Sequence, residues 1–290
     1  MASNLTQRIA FAAVAIPLAL AIVWLGGPAL AALVAAVAVL GTREVFTFAE
    51  HQGIRPAAVP GYLAAAAVPL LVWAFLAGAG WGGTILVVWP HVAALWVLVV
   101  LIWVLAMQRS GARALTAAAV TLFAPIYCGA LPAFLIGIRH AGFGPRSWAG
   151  AVLVFFPLVV TWVCDSAAMF VGKAVGGPRL APIISPGKTR SGGVGGFVGA
   201  MVAAVLWNLL VLTPAGVGVA LVQAVAFGAV IGVVAQVGDL VESVFKREIG
   251  VKDSGGLIPG HGGVLDRADS LVFTAPLYFH LLAFFALETY

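Results

Sequence analysis

Long unbroken runs of apolar residues dominate the chain, separated by short polar stretches. A helix needs about 20 apolar residues to cross the hydrocarbon core of a bilayer. Nine runs meet that length: Arg8–Gly27, Ala29–Phe48, Val59–Ala79, Thr84–Met107, Ala114–Ile138, Trp148–Gly172, Gly193–Leu212, Gly216–Phe245 and Leu271–Tyr290. Lipid admits only helices or closed barrels, because each backbone polar group must find an internal partner. Barrel strands would show alternating segments of about ten residues, which this chain lacks. The pattern therefore predicts an all-α, polytopic membrane protein with about nine transmembrane helices. Arg43 and Glu44 interrupt the end of the second run, and Pro125 and Pro132 predict a kink in the fifth. The first run could pass for a signal peptide, but it is long for one and further spans follow.

Composition sharpens this reading. Of 290 residues 63% are hydrophobic and 9% are charged, with mean hydropathy +1.12. Soluble domains carry about 25% charged residues, so a soluble enzyme, a secreted domain and a disordered chain are excluded. The net charge is +5, which in a soluble protein would suggest nucleic acid. Here the basic residues sort by side of the membrane. With the N-terminus cytoplasmic, only Arg139 and Arg146 of the 15 Lys and Arg fall outside, as the positive-inside rule requires. No nucleic-acid partner is expected. Cys128 and Cys164 lie inside apolar runs and imply no disulfide framework.

Polarity is uneven along the chain. Seven of the ten acidic residues lie between residue 160 and the last span. Residues 1–150 read as membrane scaffold and 151–290 as the catalytic membrane region. The latter carries cytoplasmic loops at 173–192 and 246–269, all within a single membrane domain.

Two segments carry candidate chemistry. The first surrounds Asp165, a carboxylate inside the sixth span and hence a functional hypothesis by default. The loop after it holds Lys173, Arg179, Lys188 and Arg190 with Ser185, Thr189 and Ser191, among many glycines. Glycines let backbone N–H groups approach an anion, and the cations and hydroxyls suit a polyphosphate. The same composition also fits a loop that only obeys positive-inside. It is not a P-loop, because Pro182 stands where Gly187-Lys188-Thr189 would need a glycine.

The second segment, Gln236 to Ser270, packs six carboxylates, four basic residues and seven glycines into 35 positions. Asp239 and Glu242 share one helix face, as do Asp266 and Asp269. Lys246, Arg247, Lys252 and Arg267 stand among them, and His261 sits between two glycines. Carboxylate oxygens suit hard cations such as Mg²⁺. Cations that bridge phosphates, with basic side chains neutralising the rest, make up the apparatus of phosphoryl or nucleotidyl transfer.

The stretch Ser243–Asp269 resembles the signature of the phosphatidate cytidylyltransferase (CDP-diacylglycerol synthase) family. Ser243, Lys246, Arg247, Lys252, Asp253, Gly255, Pro259, His261, Gly262, Gly263, Asp266, Arg267 and Asp269 fall at its spacings. Ala268 departs, standing where the family carries a larger apolar residue or Thr. The earlier loop is similar too, through Asp165, Lys173, Ser185, Lys188 and Thr189. There Arg190-Ser191 replace the family's usual Trp-Glu.

The resemblance implies that CTP and phosphatidic acid give CDP-diacylglycerol and pyrophosphate with Mg²⁺, with room for a second cation. It places the activity in phospholipid synthesis, in a homodimer; the basic loops put the site on the cytoplasmic face, and the length of the chain without soluble extensions leads to the expectation of a bacterial inner membrane, with organelle membranes left open. Asp239 and Asp266 are then the expected principal metal ligands, with Asp269 and Glu242 as further or supporting ones. Lys246, Arg247, Lys252 and Arg267 are expected on the phosphates of CTP or lipid. Lys173, Asp165, Ser185, Lys188, Thr189, Ser243 and Asp253 are expected at the substrates. His261 either orients a phosphate or an Asp, or caps its turn. Two rivals stand beside this reading. A CTP-dependent polyprenol or phytol kinase would release CDP. A transporter would use Asp165, Asp239 and Glu242 as an ion path, but it should show repeated halves or helices broken at mid-membrane.

Overall fold

The computed structural model of the protein describes residues 4–78, 82–107, 113–257 and 262–285. The helices are α1 Asn4–Leu25, α2 Gly27–His51, α3 Ala58–Leu76, α4 Gly82–Ala106, α5 Ala114–Pro125, α6 Leu131–Arg139, α7 Trp148–Val175, α8 Arg190–Trp207, α9 Leu221–Glu248 and α10 Leu265–Phe285. One antiparallel hairpin, β1 Arg179–Ala181 and β2 Ser185–Thr189, joins α7 to α8. Eight stretches are long and apolar enough to cross a membrane, with α5 and α6 counted as the single span Ala114–Arg139. In α1 the described apolar stretch is Ala15–Leu25. The nine runs of the sequence thus correspond to α1 and these eight spans, and the protein is an all-α polytopic membrane protein.

Two details differ from expectation. α2 does not weaken at Arg43 and Glu44 but continues to His51, because Glu44 is buried with hydrogen-bond partners. The kink between Pro125 and Pro132 takes the form of a π-helical turn at Ile126–Ala130. Each proline removes one backbone donor, and the wider turn between them accommodates the missing bonds.

The chain divides into two compact units. The first comprises residues 1–137 and 253–266. Its core includes Ala49, Ile54, Ala57, Val100, Val104, Ala117 and Ala118. The buried Thr121 hydroxyl accepts from Ala57 N at 2.9 Å and donates to Ala117 O at 2.7 Å, which ties the start of α3 to α5.

The second unit comprises residues 138–252 and 267–290. Phe156 stacks on Tyr278 with ring centroids 4.7 Å apart, and Phe227 meets Tyr278 edge-on at 5.9 Å. Small residues bring the other helices close. Gly196 of α8 faces Cys164 and Ala168 of α7, and Gly228 and Gly232 of α9 face Ala200 of α8. Tight backbone approach of this kind is how helices associate where lipid removes the hydrophobic drive. Thr189 caps α8, its hydroxyl accepting from Gly192 N at 3.1 Å. Beyond α8, a π-helical turn at Asn208–Leu212 ends the span, and the Asn208 amide pairs with both Val219 N and Val219 O.

Candidate active site

In the second unit, polar side chains gather where the hairpin meets α9. Lys188 on β2 reaches Asp239 on α9, with Nζ 2.5 Å from Oδ2. Both are partly exposed, at 28% and 31%, so the pair is accessible from water. Asp165 of α7 and Asp269 of α10 interact electrostatically with Asp239, and Asp165 also with Lys188. Gly238 explains how α10 comes so near α9. A Cβ there would lie 2.7 Å from Asp269 O. One turn further along α9, Glu242 is fully buried and pairs with Lys246 at 3.2 Å. The local result is four carboxylates against two ammonium groups.

Side chains of α9 hold the hairpin and the start of α8. Arg247 donates to Ile184 O at 3.2 Å and to Val251 O at 2.7 Å. Gln236 donates to Gly193 O at 3.2 Å and to Gly232 O at 2.8 Å. Thr189 is buried and serves the α8 cap, beside Ser191, whose hydroxyl donates to Gly176 O. Ser185 opens β2 opposite Ala181. Lys173 lies exposed in the last turn of α7, Lys252 is exposed beyond α9, and Ser243 is buried in α9. Arg267 is exposed on α10.

The first unit holds a separate polar cluster. Glu44 accepts from Val264 N at 2.7 Å and Leu265 N at 2.9 Å, two amides at the start of α10. Ser254 Oγ lies 2.7 Å from Glu44 Oε2 and 3.0 Å from Asp266 Oδ2. Asp266 Oδ2 also accepts from Ser254 N at 2.9 Å and Gly263 N at 2.8 Å. The two glycines of the signature are demanded by this packing. Gly262 has φ +83°, and a Cβ there would lie 2.6 Å from Asp266 Oδ2. A Cβ on Gly263 would strike Ser254 Oγ and lie 2.6 Å from both Glu44 oxygens. Asp253 is exposed in this loop, and His261 lies outside the described residues.

The structure thus brings together Asp165, Lys188, Asp239, Glu242, Lys246 and Asp269 in one unit, and seats Asp266 in the other. Sequence reasoning missed Glu44, Ser254 and Gln236. The signal for Glu44 was present, since a carboxylate deep in an apolar run needs a reason. As to metal, the donor set fits a hard cation, because it is made of carboxylate oxygens in local excess. Among the described residues no three His, Cys, Asp or Glu side chains are gathered closely enough to hold an ion already. Lys188 supplies the counter-charge to Asp239 instead.

Comparison with known proteins agrees with this chemistry. The family described as "Cytidylyltransferase family" matches residues 6–285. A protein of Synechocystis named phosphatidate cytidylyltransferase is 34% identical over 311 residues, covering 96% of each chain. One of Brucella suis with the same name is 44% identical over 158 residues, 52% of this chain and 57% of the relative. One of Bacillus subtilis, again so named, is 41% identical over 163 residues, 56% of this chain and 57% of the relative. The matched region thus spans a little over half the length of the Brucella and Bacillus proteins. The chain belongs to the cytidylyltransferase family, a family of nucleotidyltransferases.

Proposed function

We propose that the protein is a phosphatidate cytidylyltransferase, joining CTP and phosphatidic acid into CDP-diacylglycerol and pyrophosphate at the cytoplasmic face of the membrane. The observation that supports this most is the cluster of Asp165, Asp239 and Asp269 with Lys188 at the foot of a basic hairpin. It offers carboxylates for cations and ammonium groups for phosphates, where a span meets water.

The reaction needs little proton chemistry. A phosphate oxygen of phosphatidate, already an anion, attacks the α-phosphorus of CTP. A new P–O bond forms, the bond to the β-phosphate oxygen breaks, and pyrophosphate leaves with the electron pair. The barrier is the approach of two anions, so positioning and charge neutralisation supply the catalysis. Lys188 would neutralise the triphosphate. Lys246, Lys252 and Arg267 would hold further phosphate oxygens. Arg247 would position the hairpin through Ile184. Mg²⁺, when bound, would offset charge on the triphosphate. Within the second unit Asp239 would hold it, with Asp269 and Glu242 beside it, and within the first unit Asp266 would be a cation ligand.

The test is a product assay on purified protein in mixed micelles with CTP, phosphatidate and Mg²⁺. CDP-diacylglycerol and pyrophosphate from wild type, lost in Asp239→Asn and Asp266→Asn, are expected. Release of CDP with a polyprenol acceptor would instead make the protein a kinase. Ion flux in vesicles without lipid turnover would make it a transporter.

A further inference from the structure

The buried Glu44 makes no bond to substrate in the proposed reaction, yet it is among the best-bonded side chains in the molecule. It comes from α2, and its three partners, Ser254, Val264 and Leu265, lie more than 200 positions along the chain. Two of those partners are backbone amides at the N-terminus of α10. A helix leaves its first amides without intrahelical acceptors, and its N-terminus favours an anion. Glu44 meets both needs from outside the helix. Its other contact is the more informative one. The Ser254 hydroxyl has one proton and stands between two carboxylates, Glu44 at 2.7 Å and Asp266 at 3.0 Å. The Asp266 amide lies 3.4 Å from the same oxygen. Any movement of Glu44 is therefore passed to Ser254 and to both the backbone and the carboxylate of Asp266. The space is closed as well: Gly255 and Gly263 press on Glu44 so closely that neither admits a side chain without displacement.

We infer that Glu44 is a positioning residue for nucleotidyl transfer, which sets the orientation of the Asp266 carboxylate through Ser254 and the start of α10. The inference rests on the reading of Asp266 as a cation ligand. Residues that orient a metal's carboxylate ligands commonly cost 10- to 100-fold in metal affinity or activity when lost. Glu44 has the properties such a role requires. It is buried, it accepts three bonds in a fixed geometry, and it sits on a membrane helix rather than on the loop it controls.

The experiment compares wild type with Glu44→Gln, Ser254→Ala and Asp266→Asn in detergent. Three quantities are read: hydrogen exchange of the 253–266 segment, Mn²⁺ binding by electron paramagnetic resonance, and kcat and KM per mole of folded protein. Glu44→Gln keeps the size of the side chain but meets one amide with an NH₂ group. It should speed exchange in 253–266 while leaving α7–α9 unchanged. It should also weaken Mn²⁺ binding about 10-fold and lower kcat by a similar factor, with the KM for phosphatidate unchanged within about twofold. Ser254→Ala removes the relay without touching the two amides. It should reproduce the losses in Mn²⁺ affinity and kcat with a smaller change in exchange, and it covers the case in which Glu44→Gln does not fold. If Glu44→Gln and Ser254→Ala bind Mn²⁺ and turn over as wild type does while Asp266→Asn does neither, the inference is overturned and the cytidylyltransferase reading stands. If wild type lacks cytidylyl transfer but Glu44→Gln still loosens the segment and weakens Mn²⁺ binding, the reading fails and Glu44 keeps its hold on Asp266.

Discussion

At the scale of single residues, the pair Lys188–Asp239 carries the heaviest burden. An ion pair between two partly exposed groups contributes little to stability, so its removal should cost activity rather than folding. Lys188→Met is expected to lower kcat on the order of 100-fold, the size of loss seen when one preorganised charge-stabilising donor is removed. Its melting temperature should stay within a degree or two of wild type, and steady-state assays alongside a thermal melt check both. Gly263 presents the opposite balance. A methyl group there meets Ser254 and Glu44 at contact distances no real Cβ tolerates. Gly263→Ala should therefore destabilise by about 1–3 kcal/mol, the usual cost of overpacking. It should also disorder the loop whose groups bond Asp266, which exchange of the 253–266 segment would report. The signature motif showed that two glycines follow His261. That these two glycines yield their space to a carboxylate from α2 could not be read there, because a contact spanning 210 positions leaves no local trace.

At the scale of elements, the helices were legible and their joints were not. Long apolar runs determine spans because lipid penalises every unpaired backbone group, and each run found its helix. The segment 173–192 looked like an irregular basic loop. It folds instead into a hairpin that α9 grips through Arg247. A short hairpin with Pro182 in its turn and Pro186 in its second strand carries no periodic signal, and tertiary bonds rather than propensity hold it. Thr189 illustrates a residue whose type admits two uses. Its hydroxyl caps α8, so Thr189→Val should cost about 1 kcal/mol of stability, as cap losses do. Thr189→Ser should restore it, as read from paired melts. Gly238 marks the crossing of α9 and α10. Gly238→Leu should force the helices apart, lowering both the melting temperature and turnover, since Asp239 and Asp269 would separate.

At the scale of the whole molecule, the positive-inside count predicts which end of each span faces the cytoplasm. Pro145 follows the end of α6 and Ile183 tips the hairpin at the other end of α7, where it is 91% exposed. The native cysteines are both buried, so single cysteines can be added against a quiet background. On intact cells an impermeant maleimide should label Pro145→Cys and spare Ile183→Cys, and inverted vesicles should reverse the result. Labelling of Ile183→Cys from outside would turn the proposed topology over. The metal is tested at the same scale. EDTA should abolish turnover without changing the helical circular dichroism, and Mg²⁺ should restore it, because eight apolar spans do not depend on an ion for folding.

The sequence by itself determined the solvent, the helices and the class of chemistry. Each of these follows from residue type and spacing: apolar runs demand lipid, and carboxylates among basic groups suit phosphate and cations. The tertiary structure alone decided which of those groups meet. Asp165, Lys188, Asp239 and Asp269 come from three helices and a hairpin, and Asp266 shares the Ser254 hydroxyl with a glutamate on α2. Such meetings depend on where glycines let backbones touch and on where buried polar atoms find partners. Both are properties of packing, which no local stretch of chain contains.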